Sequence, residues 1–457
     1  MRRRTSAGLV LAAMLGLVAC AGSAPAEPGA AEQDQGSVQS EAPDPASVAD
    51  VDCGDGELIS RRMSSGATWS MCWSVDPKRG LELTDIHLAP PGEKPISVIA
   101  SLSISQLEVP YDTGERLTSD ITSAGFGGSK MQTLDEASCV GERMGADIPN
   151  VGDGSYGKTP HREVLCSEVV DAGIAYHSSD VSAPAADRRS DWQLSTISRV
   201  GWYEYVSQYV FAADGSIRVR LGATGDLSPV DHTDEEHGWP VGPGDTAHAA
   251  SHSHNAVWRV HWALGGPAGM AVEQYDAEPT GEDGEEAPIL AGKTTRIAEP
   301  ATSEWVDRRW WRVLAPEVLN ADEHPISYQI DLERTDSFTF VEDHEHGEED
   351  GYDVAFTNAD ECQIFATRNP GTCGTGVPEF VTRGADETLD DVVSWVAVGF
   401  HHVPRDEEQS PMELHWQGFS LLPRDFTARR FDVPKGREDV NGVPEGIWQE
   451  QAERLED

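Results

Sequence analysis

The chain has 457 residues and a formal net charge of −45, with 79 Asp and Glu against 34 Lys and Arg. No basic stripe exists to displace counterions, so nucleic-acid binding is disfavoured; the charge favours solubility and cationic ligands. The length allows two or three domains, but only one linker-like stretch divides the chain, so one large folded domain is expected.

Arg2, Arg3 and Arg4 precede an apolar run from Leu9 to Ala19. That run is too short to span a bilayer as a mature helix and reads as a signal peptide over residues 1–19. It ends in Leu17-Val18-Ala19-Cys20, a lipoprotein cleavage box, so Cys20 is expected to carry the lipid anchor. Residues 20–49 hold almost no large apolar side chain and cannot offset the entropy of ordering, so they read as a disordered linker. The expected location is the outer face of the cytoplasmic membrane, reached by lipid anchor only, with the folded domain over residues 50–457. Six cysteines remain beyond Cys20: Cys53, Cys72, Cys139, Cys166, Cys362 and Cys373. An even number in an oxidising compartment predicts disulfides, for which 15 pairings exist and neighbour pairing is the simplest.

Helical periodicity is scarce. Short apolar or alternating segments dominate: Ile96–Ser105, Tyr209–Phe211, Ser216–Leu221, Ala256–Leu264, Ile326–Leu332 and Val392–Val398. Ala213-Asp214-Gly215 between two of them is a hairpin turn signal. The pattern predicts an all-β fold, a large antiparallel β-sandwich. Two acidic stretches, Glu278–Glu286 and Glu342–Asp350, read as solvated loops, the second containing His344 and His346. Pro444–Leu455 is predicted to form a short helix.

His252-Ser253-His254 opens an alternating strand. Residues two apart on a strand point to one face, so both imidazoles can hold one metal. A third ligand is available from His402, which ends another strand after Gly399-Phe400-His401. Three imidazoles suit Cu, Zn, Fe or Ni.

Between Val200 and Gly225, Tyr203-Glu204-Tyr205 is followed by a hairpin and then Gly222-Ala223-Thr224-Gly225. This stretch resembles the active-site segment of the copper amine oxidases, in which the tyrosine of an Asn-Tyr-(Asp/Glu) motif is oxidised to topaquinone. In that family a His-x-His follows the tyrosine at a spacing close to the 49 residues between Tyr203 and His252. Gly399–Arg405 is similar to the segment holding the third copper ligand, with His402 at the matching position. Val109-Pro110-Tyr111 resembles the strand whose tyrosine hydrogen-bonds the quinone, and the surroundings of Cys139 and Cys166 resemble the region of the family's disulfide. The similarity runs over roughly residues 60 to 435.

The resemblance implies that 50–457 is a copper amine oxidase-like catalytic domain, with copper on His252, His254 and His402 and topaquinone derived from Tyr203. It implies Tyr111 orienting the ring, a Cys139–Cys166 bridge, and oxidation of a small primary amine by molecular oxygen to aldehyde, ammonia and hydrogen peroxide. Family members are usually homodimers, so a second copy is an implied partner. An inactive lipoprotein that binds copper or an amine without forming the quinone is the alternative. The reaction needs a carboxylate to take a proton from the carbon next to nitrogen, with its pKa lifted by a dry pocket. Asp112-Thr113-Gly114-Glu115 matches the family's base motif by letters but directly follows Tyr111. Asp120 lies 19 residues before Cys139, near the family spacing, and is preferred over Asp112.

The chain departs from the family pattern at three places. Trp202 stands where Asn is usual, and Arg199 lies nearest to the position of a usual Thr. His261, Ala263 and Gly265 occupy the strand positions at which the family carries acids for a peripheral metal, so no calcium site is expected there. The acidic surface and Trp202 point to a cationic or narrow amine.

Overall fold

Alternating segments of Val, Ile, Leu, Tyr and Trp cannot bury their apolar faces alone, and here they do so by forming two antiparallel sheets packed face to face. The computed structural model describes residues 42–152, 154–179, 184–230, 232, 234–333, 336, 351–369, 372–408 and 410–432, without the side chains of Ser119, Asp120 and Ser123. Cys20, most of the expected linker, His344, His346 and the expected C-terminal helix lie outside the described residues.

In chain order, β1 (Glu57–Arg62), β2 (Thr68–Asp76), β3 (Gly80–Ala89), β4 (Ile96–Pro110) and the short β5 (Leu117–Ser119) enter the first sheet, followed by one helical turn, α1 (Asp120–Ser123). β6 (Glu142–Asp147), β7 (His161–Ser178), β8 (Ala185–Val200), β9 (Tyr203–Ala212) and β10 (Ile217–Gly225) build one flank of the second sheet. A separate ribbon, β11 (Gly238–Pro240) with β12 (His248–Ala250), leads to β13 (His252–Trp262), which returns to the first sheet beside β4. β14 (Ala271–Asp283) and β15 (Pro288–Ile297) join the second sheet and β16 (Ala301–Ser303) the first. β17 (Trp310–Leu319) and β18 (Pro325–Glu333) belong to the second sheet and β19 (Val354–Asn358) to the first. A two-turn helix, α2 (Val377–Arg383), precedes β20 (Val392–His402) in the first sheet and β21 (Met412–Arg424) in the second. The strand orders are β1-β2-β3-β4-β13-β20-β19-β16 and β15-β14-β17-β18-β21-β10-β9-β8-β7-β6.

Large aromatic side chains join the sheets. Trp69 meets Phe211 with ring centroids 5.2 Å apart, and Trp258 meets Phe419 at 5.5 Å. Buried indoles find acceptors, as Trp69 Nε1 on the Ala212 carbonyl at 3.0 Å and Trp262 Nε1 on Ser394 Oγ at 2.9 Å. β13 is buried on both faces. Trp258 points into the sandwich, while Val257 packs on the outer side with Tyr352, Val377, Phe380 and Trp395.

The expected hairpin turn is present at Ala213–Gly215, with Gly215 at φ 89° and the Asp214 carboxylate accepting from Ser216 N–H. One expectation is corrected. Glu278–Asp283 is not loop: it is the distal end of β14, paired with β15 in an exposed ribbon. Both faces of that ribbon are wet, so no apolar alternation marked the strand.

The disulfides are Cys53–Cys72, Cys139–Cys166 and Cys362–Cys373, with Cα–Cα separations of 5.4, 5.6 and 5.5 Å. Cys139–Cys166 closes a 27-residue separation and packs with Leu134 beside Ile197. Replacing both cysteines by serine is expected to lower unfolding free energy by about 3 to 4 kcal/mol from loop entropy, read by urea denaturation under oxidising conditions.

Candidate metal centre

β13 places His252 and His254 on its inward face, and antiparallel pairing with β20 sets His402 directly opposite His252. From the facing sheet, β9 presents Tyr203 and Tyr205 with the same two-residue spacing. All five side chains are buried. A two-residue turn between Val200 and Tyr203 sets where β9 begins. Gly201 takes φ 62° at its first position, which a glycine adopts freely, and Trp202 takes the second. The Trp202 indole is 45% exposed, so the bulky substitute for Asn is accommodated at the tip of the turn.

Tyr203 Oη lies 2.8 Å from His252 Nε2 and 3.4 Å from His402 Nδ1. His252 Nε2 and His402 Nδ1 are themselves 3.4 Å apart. One nitrogen of each ring turns outward to a partner. His252 Nδ1–H donates to the Ala250 carbonyl at 2.9 Å, His254 Nδ1 meets Tyr205 Oη at 3.2 Å, and His402 Nε2–H donates to Glu408 at 2.8 Å. Such partners select the tautomer whose other nitrogen keeps its lone pair. The three histidines have ligand atoms within 4.8 Å of one another, and His254 Nε2 is buried with no hydrogen-bond partner among the described residues. A metal ion accepting three imidazole lone pairs satisfies that orphaned nitrogen, so the donor set fits copper or a neighbouring first-row ion.

The electrostatics agree. Burial, then the charge of His402, pulls the His252 pKa down to about 3. Burial, then His415, does the same to His402, also to about 3, and burial takes His254 well below the usual imidazole range. The rings are therefore neutral near pH 7, as metal ligands must be. Burial holds the Tyr203 phenol well above its ordinary value, with Tyr111 and Glu408 adding to the effect and Arg116 opposing it.

A pH dependence follows for the metal-free protein. Between the ordinary value of 6.5 and about 3, the unfolded chain takes up a proton that folded His252 refuses. Stability is thus complete above this window and lost as pH falls through it. The expected slope from His252 approaches about 1.4 kcal/mol per pH unit, measurable as urea midpoints from pH 7 to 4.

Tyr111 stacks on His252, with ring centroids 4.7 Å apart. Asp112 turns away, its carboxylate accepting from His401 Nε2 at 3.0 Å on the partly exposed face of β20. Asp120 is the first residue of α1, directly after β5, which pairs with the end of β4 just before Tyr111. Its side chain lies outside the described residues. His261 Nε2 meets Asp391 at 2.7 Å.

Glu408, Arg405 and His415 were not anticipated. The buried Glu408 carboxylate joins His402 to His415 Nε2 at 3.1 Å and to Arg405 Nε at 3.3 Å. His402, Glu408 and His415 form a second grouping with metal-like spacing, sharing His402 with the first. The 2.8 Å contact between His402 Nε2 and Glu408 reads more simply as a hydrogen bond that directs Nδ1 inward.

A family model described as the enzyme domain of copper amine oxidase matches residues 61–437. Histamine oxidase of Arthrobacter globiformis is 25% identical over 402 residues, covering 79% of this chain and 55% of that protein. Primary amine oxidase 2 of Arabidopsis thaliana is 24% identical over 442 residues, covering 86% of this chain and 61% of the relative. The chain thus spans little more than half the length of these curated relatives. Among solved structures, a copper-containing benzylamine oxidase from Hansenula polymorpha superimposes with a TM-score of 0.67 at 22% identity, over 82% of this chain and 63% of that one. That structural likeness shows the fold, and the match over residues 61–437 shows the family: the chain belongs to the copper amine oxidases.

Proposed function

We propose that this chain is a copper- and topaquinone-dependent primary-amine oxidase. The observation that carries the reading is the Tyr203 phenol oxygen, buried and 2.8 Å from a nitrogen of the three-histidine cluster. Bound copper, with a quinone made from Tyr203, would supply the redox chemistry that converts a primary amine, water and oxygen to aldehyde, ammonia and hydrogen peroxide.

The chain's own residues supply placement. His252, His254 and His402 stay neutral and hold the ion. The Ala250 carbonyl, Tyr205 and Glu408 fix the three rings. Burial keeps bulk water from Tyr203, and the Tyr111 ring walls the site beside His252. Asp120 is the proposed proton acceptor, on its spacing from Cys139 and its place after β5, since Asp112 is engaged by His401.

Export and lipidation at Cys20 belong to the same proposal. Three disulfides support an oxidising compartment, where copper and oxygen are both available. The domain division into a signal peptide over 1–19, a linker over 20–49 and a catalytic domain over 50–457 is proposed with it, as is a homodimer.

The test is to load metal-free protein with copper in air and add phenylhydrazine. The expected result is a coloured adduct approaching one per chain, with peroxide released on addition of primary amines. Copper uptake with no adduct and no peroxide contradicts the reading.

A further inference from the structure

Arg116 closes the tight turn between β4 and β5, its carbonyl accepting from Tyr111 N–H at 3.0 Å. Its guanidinium carbon lies 3.5 Å from the centroid of the Tyr111 ring, whose stacking on His252 continues the column into the metal cluster. Nη1 donates to Ser228 Oγ at 3.0 Å. Nε and Nη2 are both buried and have no acceptor among the described residues. These two donors share one edge of the planar fork and point the same way, the geometry that receives both oxygens of a carboxylate.

The acids in the same turn do not fill that edge. Asp112 is held by His401, and Glu115 is exposed. Elsewhere the chain gives its arginines carboxylates readily, as Arg79 with Glu82 at 2.8 Å and Arg312 with Glu273 at 2.8 Å. Burying two N–H groups of a permanent cation without acceptors costs free energy, and a bound anion offsets it. The guanidinium packs on the Tyr111 ring and that ring on His252, so an anion held there lies one aromatic ring from the metal cluster.

We propose that Arg116 binds a carboxylate on the substrate, which makes the substrate class a primary amine with a terminal carboxylate, an ω-amino acid, rather than a plain alkylamine. This rests on the amine-oxidase reading. The net charge of −45 does not oppose it, because a zwitterion carries no net charge and exposed charges are screened beyond about 8 Å. At contact, the guanidinium dominates.

The experiment uses the full chain loaded with copper in air. kcat/KM is measured for β-alanine, 4-aminobutyrate and 6-aminohexanoate against propylamine, butylamine and hexylamine. At least one amino acid is expected to exceed its equal-length amine by roughly 10- to 100-fold, the worth of a charge-assisted pair. In Arg116→Met that ratio falls towards one through a higher KM for the amino acid, and Arg116→Lys recovers part of it. A wild-type ratio near one, or a ratio unchanged in Arg116→Met, overturns the proposal and leaves Arg116 as a clamp on Tyr111. Calorimetric titration of the metal-free wild type with 4-aminobutyrate and with butylamine separates the two claims without turnover. Binding of the amino acid alone, with no quinone and no turnover, sinks the oxidase reading and keeps the carboxylate site. Turnover of both amines with no discrimination does the reverse.

Discussion

Tyr203→Phe is expected to abolish the phenylhydrazine adduct and amine-dependent peroxide release completely, while copper still binds. Phenylalanine keeps the ring that packs in T-shaped contact with His252 and His254, at centroid distances of 5.5 and 5.0 Å, and removes only the oxygen. The core therefore loses little. His252 Nε2 loses its 2.8 Å phenol contact but gains nothing that blocks a metal. Chemically the change is total, since without the phenol oxygen the ring has no route to a quinone. The check is paired: copper per chain by elemental analysis, and adduct absorbance after aerobic loading. An adduct that persists in Tyr203→Phe places the cofactor elsewhere.

Glu408→Ala is expected to weaken copper binding roughly 10- to 100-fold, the usual cost of removing a carboxylate behind a metal-bound histidine. Glu408 is buried and meets His402 Nε2 at 2.8 Å and His415 Nε2 at 3.1 Å. Alanine leaves the His402 N–H without its acceptor inside the core and frees the ring to rotate or change tautomer. Glu408→Gln keeps one oxygen able to accept from His402, so its loss should be several-fold smaller. Chelator competition gives the affinities, and the copper electron spin resonance of each variant reports ligand geometry independently of turnover. Equal affinities in wild type and Glu408→Ala refute the role.

The legible part of this protein was the part built from backbone period and composition. Period-two alternation gave a β-sandwich, and the Asp214-Gly215 turn and the two-residue spacing of His252 and His254 translated directly into geometry. Neighbour pairing of six cysteines matched all three bridges. His402 was a candidate from its place at a strand end and was supported by resemblance, Tyr203 came from resemblance, and strand pairing then showed why both meet the His252 pair.

What stayed hidden depends on where single side chains turn. Glu408 ends the run Asp406-Glu407-Glu408 in a chain with 79 acidic residues, and nothing in the letters says which of the three faces inward. His415 sits near the start of β21 between Leu414 and Trp416, with nothing in the letters to tie it to Glu408, and Arg116 reads as an ordinary turn cation. Asp112 matched a motif by spelling, yet it follows Tyr111 directly, and its carboxylate turns to His401. Trp202 stands where Asn is usual, and only the structure shows that its turn position lets the side chain reach solvent.

The most direct test is a crystal structure of copper-loaded full chain with anomalous scattering recorded at the copper edge. A single copper peak is expected, bonded at about 2 Å to His252 Nε2, His254 Nε2 and His402 Nδ1 and adjoining the Tyr203 ring. Copper bound away from this trio, or a His402 that swings out of reach, contradicts the account.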